Sequence, residues 1–415
     1  MRILIIGINY APEVTGIAPY TTGLAEGLAA RGHQVTVYTG MPHYPEWRIA
    51  DDYVYSTGSL EMPNGIHLRR FPHYVPADTS LVNRLRMESS FGRRVTRAYW
   101  GRPDLIIAAT PALAATAMVV ARARTQRIPV GVIVFDLYGL GVAEATSAGG
   151  ATAALAMNFE SNVLRQANGV AVIHERFRRS VVDMGVAESD VTVIRNWSHV
   201  EQPTPRSPEL IDTIRQRFGW GADETVVVHS GNMGVKQGLI NVVDAARIAE
   251  ERNLPVRFVL IGEGNQRAEL EQLGTGLRRL QFIRTLPSNE FGDALAAADL
   301  LLVNELPGVS GMAVPSKLTS YFTAGRPVLA AVDPDGVTAD EVRRSGAGVI
   351  VAAGDPGALA ATAVDLAADH AHCRELAANG PAYAERELGA AAAIDEYERW
   401  GMRLAARPLV AEQVS

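Results

Sequence analysis

The stretch His229-Ser230-Gly231-Asn232-Met233-Gly234-Val235-Lys236-Gln237-Gly238-Leu239 decides how the chain folds. A β-branched run, Thr225-Val226-Val227-Val228, leads into it, and Leu239, Val242, Val243 and Ala246 leave it with helical spacing on one face. Strand, glycine-rich turn and helix start, in that order, turn bare backbone N–H groups toward one point. The glycines at 231, 234 and 238 let a ligand come close to the main chain. The helix start adds unpaired donors and a partial positive charge, and Lys236 adds a full one. Such a turn suits phosphate. The plainer reading is a βα connection with a surface lysine, and the rest of the chain decides between them.

The same unit recurs on both sides. Arg2-Ile3-Leu4-Ile5-Ile6 is the continuous apolar run of a parallel strand covered on both faces. Gly7 follows, then a helix from near Pro19 to Arg31-Gly32, then a strand at Val35-Thr36-Val37-Tyr38. Further strands are expected at 105–109, 130–134, 170–173 and 191–194. The uncharged run from Leu105 to Ala121 reads as a strand followed by a helix, with Thr110 as N-cap and Pro111 as first helical residue, rather than as a membrane span. Pro203, Pro205 and Pro208 form a semi-rigid linker that places a domain boundary near residue 200. A second series has strands at 225–228, 257–261, 280–283, 300–303, 328–331 and 348–351. The fold class is α/β, with two doubly wound Rossmann-like parallel-sheet domains facing across a cleft.

At 415 residues the chain exceeds one core, so two domains fit its length. A net charge of −6 argues against nucleic acid as a partner. Cys373 is the lone cysteine, which excludes an internal disulfide framework and a multi-cysteine metal site. The apolar run after Arg2 is shorter than a signal-peptide core, so the expected location is the cytoplasm, with peripheral contact at the inner face of the membrane left open.

Dinucleotide dehydrogenases need Gly-x-Gly-x-x-Gly after the first strand, where this chain has Gly7-Ile8-Asn9-Tyr10-Ala11-Pro12. Gly262-Glu263-Gly264 continues Asn265-Gln266-Arg267 and lacks the third glycine. Asp333-Pro334-Asp335 is read as a turn rather than a metal-binding Asp-x-Asp. His174-Glu175 lies beyond a strand end, where a polar site role is open. Arg84, Arg86, Phe91, Arg93, Arg94, Arg97, Tyr99 and Trp100 outline an amphipathic helix. It is either a solvated face or a patch for anionic lipid head groups or a phosphorylated acceptor.

Together these pieces resemble glycosyltransferase family 4, the retaining GT-B enzymes, and within it the bacterial exopolysaccharide and colanic-acid transferases of the fucosyl or N-acetylfucosaminyl branch. The resemblance rests on Asn9-Tyr10-Ala11-Pro12-Glu13 with Gly16, and on Thr39-Gly40-Met41-Pro42-His43-Tyr44-Pro45. It continues through Asp136-Leu137-Tyr138, Ile194-Arg195-Asn196-Trp197, Ser230 to Gly238, Pro315-Ser316-Lys317, Gly325-Arg326-Pro327-Val328 and Gly354-Asp355-Pro356.

The resemblance implies a GT-B fold with an acceptor domain at 1–200, a donor domain at 201–389, and a C-terminal helix within 390–415 crossing back onto the first domain. It implies sugar transfer from a nucleoside-diphosphate sugar to a glycan, lipid-linked or small-molecule acceptor, with retention and without metal or other cofactor. Catalytic roles fall to Asp136, Lys236 and Lys317. Donor contacts fall to Gly16, Gly231, Asn232, Gly234, Gln237, Gly262, Gly264, Ile283, Gly311, Met312, Ala313, Val314 and Ser320. His43, Tyr138, His174 and Glu175 stand on the acceptor side. Fixed donors would stabilise the departing diphosphate.

The chain departs from the wider family in three places. Met312 and Ser320 replace a spaced pair of glutamates, Asn232 and Gln237 replace an arginine and a lysine, and Phe135 replaces a histidine beside Asp136. Two alternatives follow, a nucleotide-sugar 2-epimerase on the same scaffold and a non-catalytic nucleotide-sugar-binding partner subunit. Loss of the ribose-gripping glutamate to Ser320 further implies tolerance of a dTDP-sugar beside a UDP-sugar.

Overall fold

The computed structural model describes residues 1–14, 16–54, 60–78, 80–137, 151–197, 206–309 and 317–406. The chain forms two compact units, Met1–Asn196 with Ala390–Ser415, and Trp197–Gly389.

In the first unit the strands are β1 Arg2–Ile6, β2 Gln34–Gly40, β3 Leu60–Glu61, β4 His67–Phe71, β5 Leu105–Ala109, β6 Val130–Val134, β7 Gly169–Val172 and β8 Val191–Val193. They form one sheet in the order β3-β4-β2-β1-β5-β6-β7-β8, parallel throughout except for the two-residue β3. The helices are α1 Ala18–Ala30, α2 Leu81–Arg97, α3 Leu113–Thr125, α4 Ala151–Arg165 and α5 Glu175–Asp183. Ile3 to Ile6 are all buried, and β1 lies between β2 and β5 with Ile5 opposite both Val37 and Ile107. Crossovers run in opposite directions from β1, which makes its carboxyl edge the switch point where such sheets hold ligands.

The sequence reading omits β3 and β4. His67-Leu68-Arg69-Arg70-Phe71 carries two adjacent arginines, and the polar alternation of a strand near the sheet edge hides it among loops. The expected helix start at Thr110-Pro111 also shifts, since α3 begins at Leu113. Thr110 is used elsewhere, its Oγ1 accepting the Phe135 N–H at 3.1 Å. The start of α3 is served instead by Glu88 of α2, whose carboxylate accepts the Ala114 N–H at 2.9 Å.

The second unit has α6 Pro208–Phe218, β9 Thr225–Ser230, α7 Ile240–Glu251, β10 Val256–Ile261, α8 Arg267–Leu273, β11 Leu280–Ile283 and α9 Ser288–Ala297. It continues with β12 Leu300–Asn304, α10 Lys317–Ala324, β13 Val328–Val332, α11 Val337–Ser345, β14 Gly348–Ala352, α12 Pro356–Ala368 and α13 His370–Glu387. Its six parallel strands run β11-β10-β9-β12-β13-β14, a doubly wound order with the switch between β9 and β12. Every expected strand of this series is found, because each is an apolar run bounded by polar or glycine-rich turns.

The last helix, α14 Ala390–Ala406, belongs to the first unit. Its Trp400 and Leu404 lie over Gly131 and Gly169, its Ile394 over Gly27, and Arg31 pairs with Asp395. His33 joins this contact through Glu398 at 2.7 Å. Among the described residues no helix is long and apolar enough to cross a membrane.

Candidate functional site

Within the second unit, β9 ends at Ser230 and the chain turns at Gly231 with φ 117°. The expectation that this loop offers its amides to a ligand is corrected at three positions. The Gly231 N–H donates to the Ile261 carbonyl at 2.8 Å, Met233 N–H to Glu263 O at 2.8 Å, and Gly234 N–H to the Gln237 side chain at 3.1 Å. The first two donors are spent because the loop lies against the end of β10 and the turn after it, and the third is spent within the loop on Gln237. A Cβ on Gly262 would overlap the Gly231 carbonyl, and one on Gly264 would stand 2.5 Å from Met233 O. The Gly-x-Gly pair is therefore a packing surface for the loop after β9. Gly262→Ala is expected to displace that loop, at a cost of about 1–3 kcal/mol, because backbone cannot yield as a side chain can. Thermal unfolding together with nucleotide titration checks this, and wild-type values for both would refute it.

What Gly231 supplies is room. Lys317, the first residue of α10, brings its Cε and Nζ to 3.7 Å from the place a Gly231 Cβ would occupy. Its ammonium meets Nε2 of His229 at 3.1 Å. His229 is fully buried, and burial, then the nearby Lys317 charge, push its pKa well below the usual 6.5. The neutral ring accepts from the ammonium and aims it. Loss of water around Lys317 pushes its pKa down to about 7, opposed by Glu305 beyond the end of β12.

Supports missed by sequence reasoning hold this corner. Asn304 donates to the Gln237 and Gly238 carbonyls at 2.8 and 3.0 Å, and Tyr321 Oη accepts the Ser230 N–H at 2.8 Å. Lys236 and Asn232 are exposed, Gln237 is engaged with Gly234, and Ile283 sits behind the glycines, its carbonyl accepting the Gly262 N–H at 3.0 Å. Ser320 is buried on α10 at 4% exposure. Gly311, Met312, Ala313 and Val314 lie outside the described residues. Asp333 and Asp335 form a turn, with the Asp335 N–H on Asp333 Oδ1 at 2.9 Å.

In the first unit a second group gathers at the carboxyl ends of the strands. Glu13, buried at 7%, accepts the backbone N–H of His43 and Tyr44 at 2.8 and 2.9 Å, and Asn9 Nδ2 at 2.8 Å. It ties the loop after β1 to the loop after β2. His43 is thereby buried, its ring 4.8 Å from that of His73, which burial keeps neutral with a pKa of about 3. Gly16 is exposed with φ 65°, and a Cβ there would approach the Tyr44 ring at 3.2 Å. Asp136 follows β6, half-buried, and its charge helps to raise the Tyr44 pKa after burial, the larger cause.

His174 is buried and acts as the N-cap of α5, Nδ1 accepting the Arg176 N–H at 3.1 Å. Glu175 pairs with Arg178 at 3.6 Å. Both have structural duties that their place in the sequence did not show. Tyr138 lies outside the described residues.

Two family models match the chain, the Glycosyl transferase 4-like domain over residues 15–197 and Glycosyl transferases group 1 over residues 224–369. Among curated relatives, WcaI of Escherichia coli (strain K12), named for a glycosyl transferase role in colanic acid biosynthesis, is 33% identical over 339 residues, 78% of this chain and 82% of that one. Among solved structures, Anabaena Alr3699/HepE in complex with UDP-glucose aligns with a TM-score of 0.71 at 19% identity, over 96% of this chain and 98% of that one. The sucrose-phosphate synthase of Thermosynechococcus elongatus aligns with a TM-score of 0.72 at 17% identity, over 98% and 99%. These structural likenesses establish a GT-B fold.

Proposed function

The chain belongs to the glycosyltransferases of the 4-like and group 1 domain family, and from that premise we propose that it moves a sugar from a nucleoside-diphosphate sugar to a glycan, lipid-linked or small-molecule acceptor, with retention of configuration and without a bound metal. One observation carries the reading. A lysine ammonium, aimed by a buried neutral histidine, stands beside a glycine-opened turn at the switch point of the second sheet.

Lys317 stabilises the charge that gathers on the departing diphosphate. Asn232, Gln237 and Lys236 line the same loop as outer donors, with Ser320 and residues 311–314 toward the sugar and ribose. In the first unit Gly16 serves the donor phosphate, and Asp136 with His43 serves the acceptor. HepE, whose structure contains UDP-glucose, supports a nucleotide-sugar donor. The reaction is placed in the cytoplasm, and the exposed Leu81, Val82 and Leu85 of α2 are the side chains that would meet the inner face of the membrane.

Calorimetric titration with UDP and dTDP tests the donor site, and the two nucleotides are expected to bind within about tenfold of each other, since no glutamate grips a ribose 2′-hydroxyl. A strong preference for UDP ends that part of the reading. Product analysis with donor alone separates the other classes. An epimerised nucleotide sugar means a 2-epimerase, and binding with neither hydrolysis nor transfer means a non-catalytic subunit.

A further inference from the structure

The first unit contains a groove of about 1500 Å³ that runs from the amino ends of its sheet, where Arg2, Gln34 and His67 open β1, β2 and β4, along β4 to Phe71 and Pro72. Its lining includes none of Glu13, His43 and Asp136, so the groove is a distinct feature of the unit. Among the described residues it is lined by seven arginines and by no aspartate or glutamate. Arg2 and Arg70 are satisfied by Asp104 and Glu61, both at 2.8 Å. Arg69, Arg93, Arg94, Arg97 and Arg102 are exposed and have no carboxylate partner among the described residues. Five unneutralised guanidiniums on a chain of net charge −6 are a strong local concentration of positive charge.

The rim is built at a conformational cost. Arg102 has φ 98°, outside the left-handed well and rare for a side chain of its size, and strain of this kind persists only where its surroundings hold it. Next to it Tyr99 is 83% exposed, its carbonyl held by Tyr38 Oη, while Trp100 anchors the segment through Val95 O at 2.8 Å. The backbone is thus held where it presents an exposed aromatic side chain beside the arginines.

We propose that this groove is a second binding site, for an acidic glycan chain. The inference rests on the glycosyltransferase reading and narrows its acceptor class. Three features select this ligand. The guanidiniums come from β4, the last turns of α2 and the loop after it, so they spread along the groove and suit anionic groups at intervals. Each fork matches a carboxylate in bidentate fashion. The volume exceeds the roughly 300–1,000 Å³ of a small-molecule pocket, and the Tyr99 ring offers a face to a sugar ring. A bilayer is the poorer fit, because the exposed Leu81, Val82 and Leu85 lie at the opposite end of α2, outside the groove, and membrane docking needs apolar side chains among the charges.

The test is binding of a fluorescently labelled short oligogalacturonate to the full chain without donor. A neutral maltooligosaccharide of equal length is the control, alongside phosphatidylcholine vesicles with and without phosphatidylglycerol. Oligogalacturonate is expected to bind, to weaken as salt rises, and to bind about tenfold more weakly or worse to Arg93→Ala/Arg97→Ala. UDP affinity, unchanged in that variant, reports that the fold and the donor site survive. Arg102→Gly, which relieves the strained backbone, is expected to fold and still lose affinity. Absent binding, equal binding of the neutral chain, or unchanged affinity in both variants overturns the proposal. Vesicle binding that the arginine substitutions abolish, without oligogalacturonate binding, replaces it with a lipid surface. Failure to bind UDP with oligogalacturonate binding intact would instead overturn the donor reading alone.

Discussion

Lys317→Met is expected to lower the rate of sugar transfer by about 10²- to 10³-fold, the loss seen when one fixed donor to a developing anion is removed. The residue is suited to this because its charge is held by geometry. His229 accepts from it at 3.1 Å, and the missing Cβ of Gly231 gives the lysine room to lie against the turn. Lys236→Ala on the exposed part of the loop is expected to cost much less, since water screens a surface cation. Steady-state kinetics on both variants provide the measurement. Full turnover in a folded Lys317→Met protein would remove the residue from the mechanism.

The pH dependence follows from the same burial. With the Lys317 pKa near 7 in the unliganded protein, the cation is lost as pH rises through that value. Nucleoside-diphosphate affinity should therefore fall from pH 6 to pH 8, with a proton taken up on binding at the upper end. Lys317→Arg, which keeps its charge, should flatten the profile. Stability runs the other way. Below about 7 both folded and unfolded chains hold the proton, and the full cost of burying it is present. Between there and the ordinary 10.5 only the unfolded chain holds it, so this group's contribution to unliganded stability rises with pH across that window. Lys317→Met should accordingly raise the melting temperature of the free protein at pH 6 while lowering turnover.

Trp400→Ala is expected to destabilise the first unit by about 3–5 kcal/mol, the range for removing a large buried aromatic side chain. Trp400 is 2% exposed, and the space it fills exists because residues 131 and 169 have no Cβ. Neither backbone can move far to close the cavity, since both belong to strands paired on both sides. Chemical denaturation of the full chain reads the loss, and Trp400→Phe should recover part of it. A cost below about 1 kcal/mol would mean that α14 contributes little to holding β6 and β7.

The amino-acid sequence by itself determined the alternation of strand and helix, since each central strand is a local apolar run and each turn carries its own glycines. It also located the loop from Ser230 to Gly238, because its signals lie within a few neighbouring residues. It could not tell why Gly262 and Gly264 stand where they do, nor that His174 is a helix cap, nor that Glu13 binds two loops. Tertiary structure alone decided that the first unit's sheet gains β4 near its edge, and that the cation behind Gly231 comes from α10. His229 and Lys317 are 88 positions apart, and Gly131 and Trp400 lie still farther along the chain from one another. Strand and turn formation depend on side chains close in sequence. A buried charge, its aiming partner and a glycine that admits a distant ring depend on which surfaces meet once the sheets have formed.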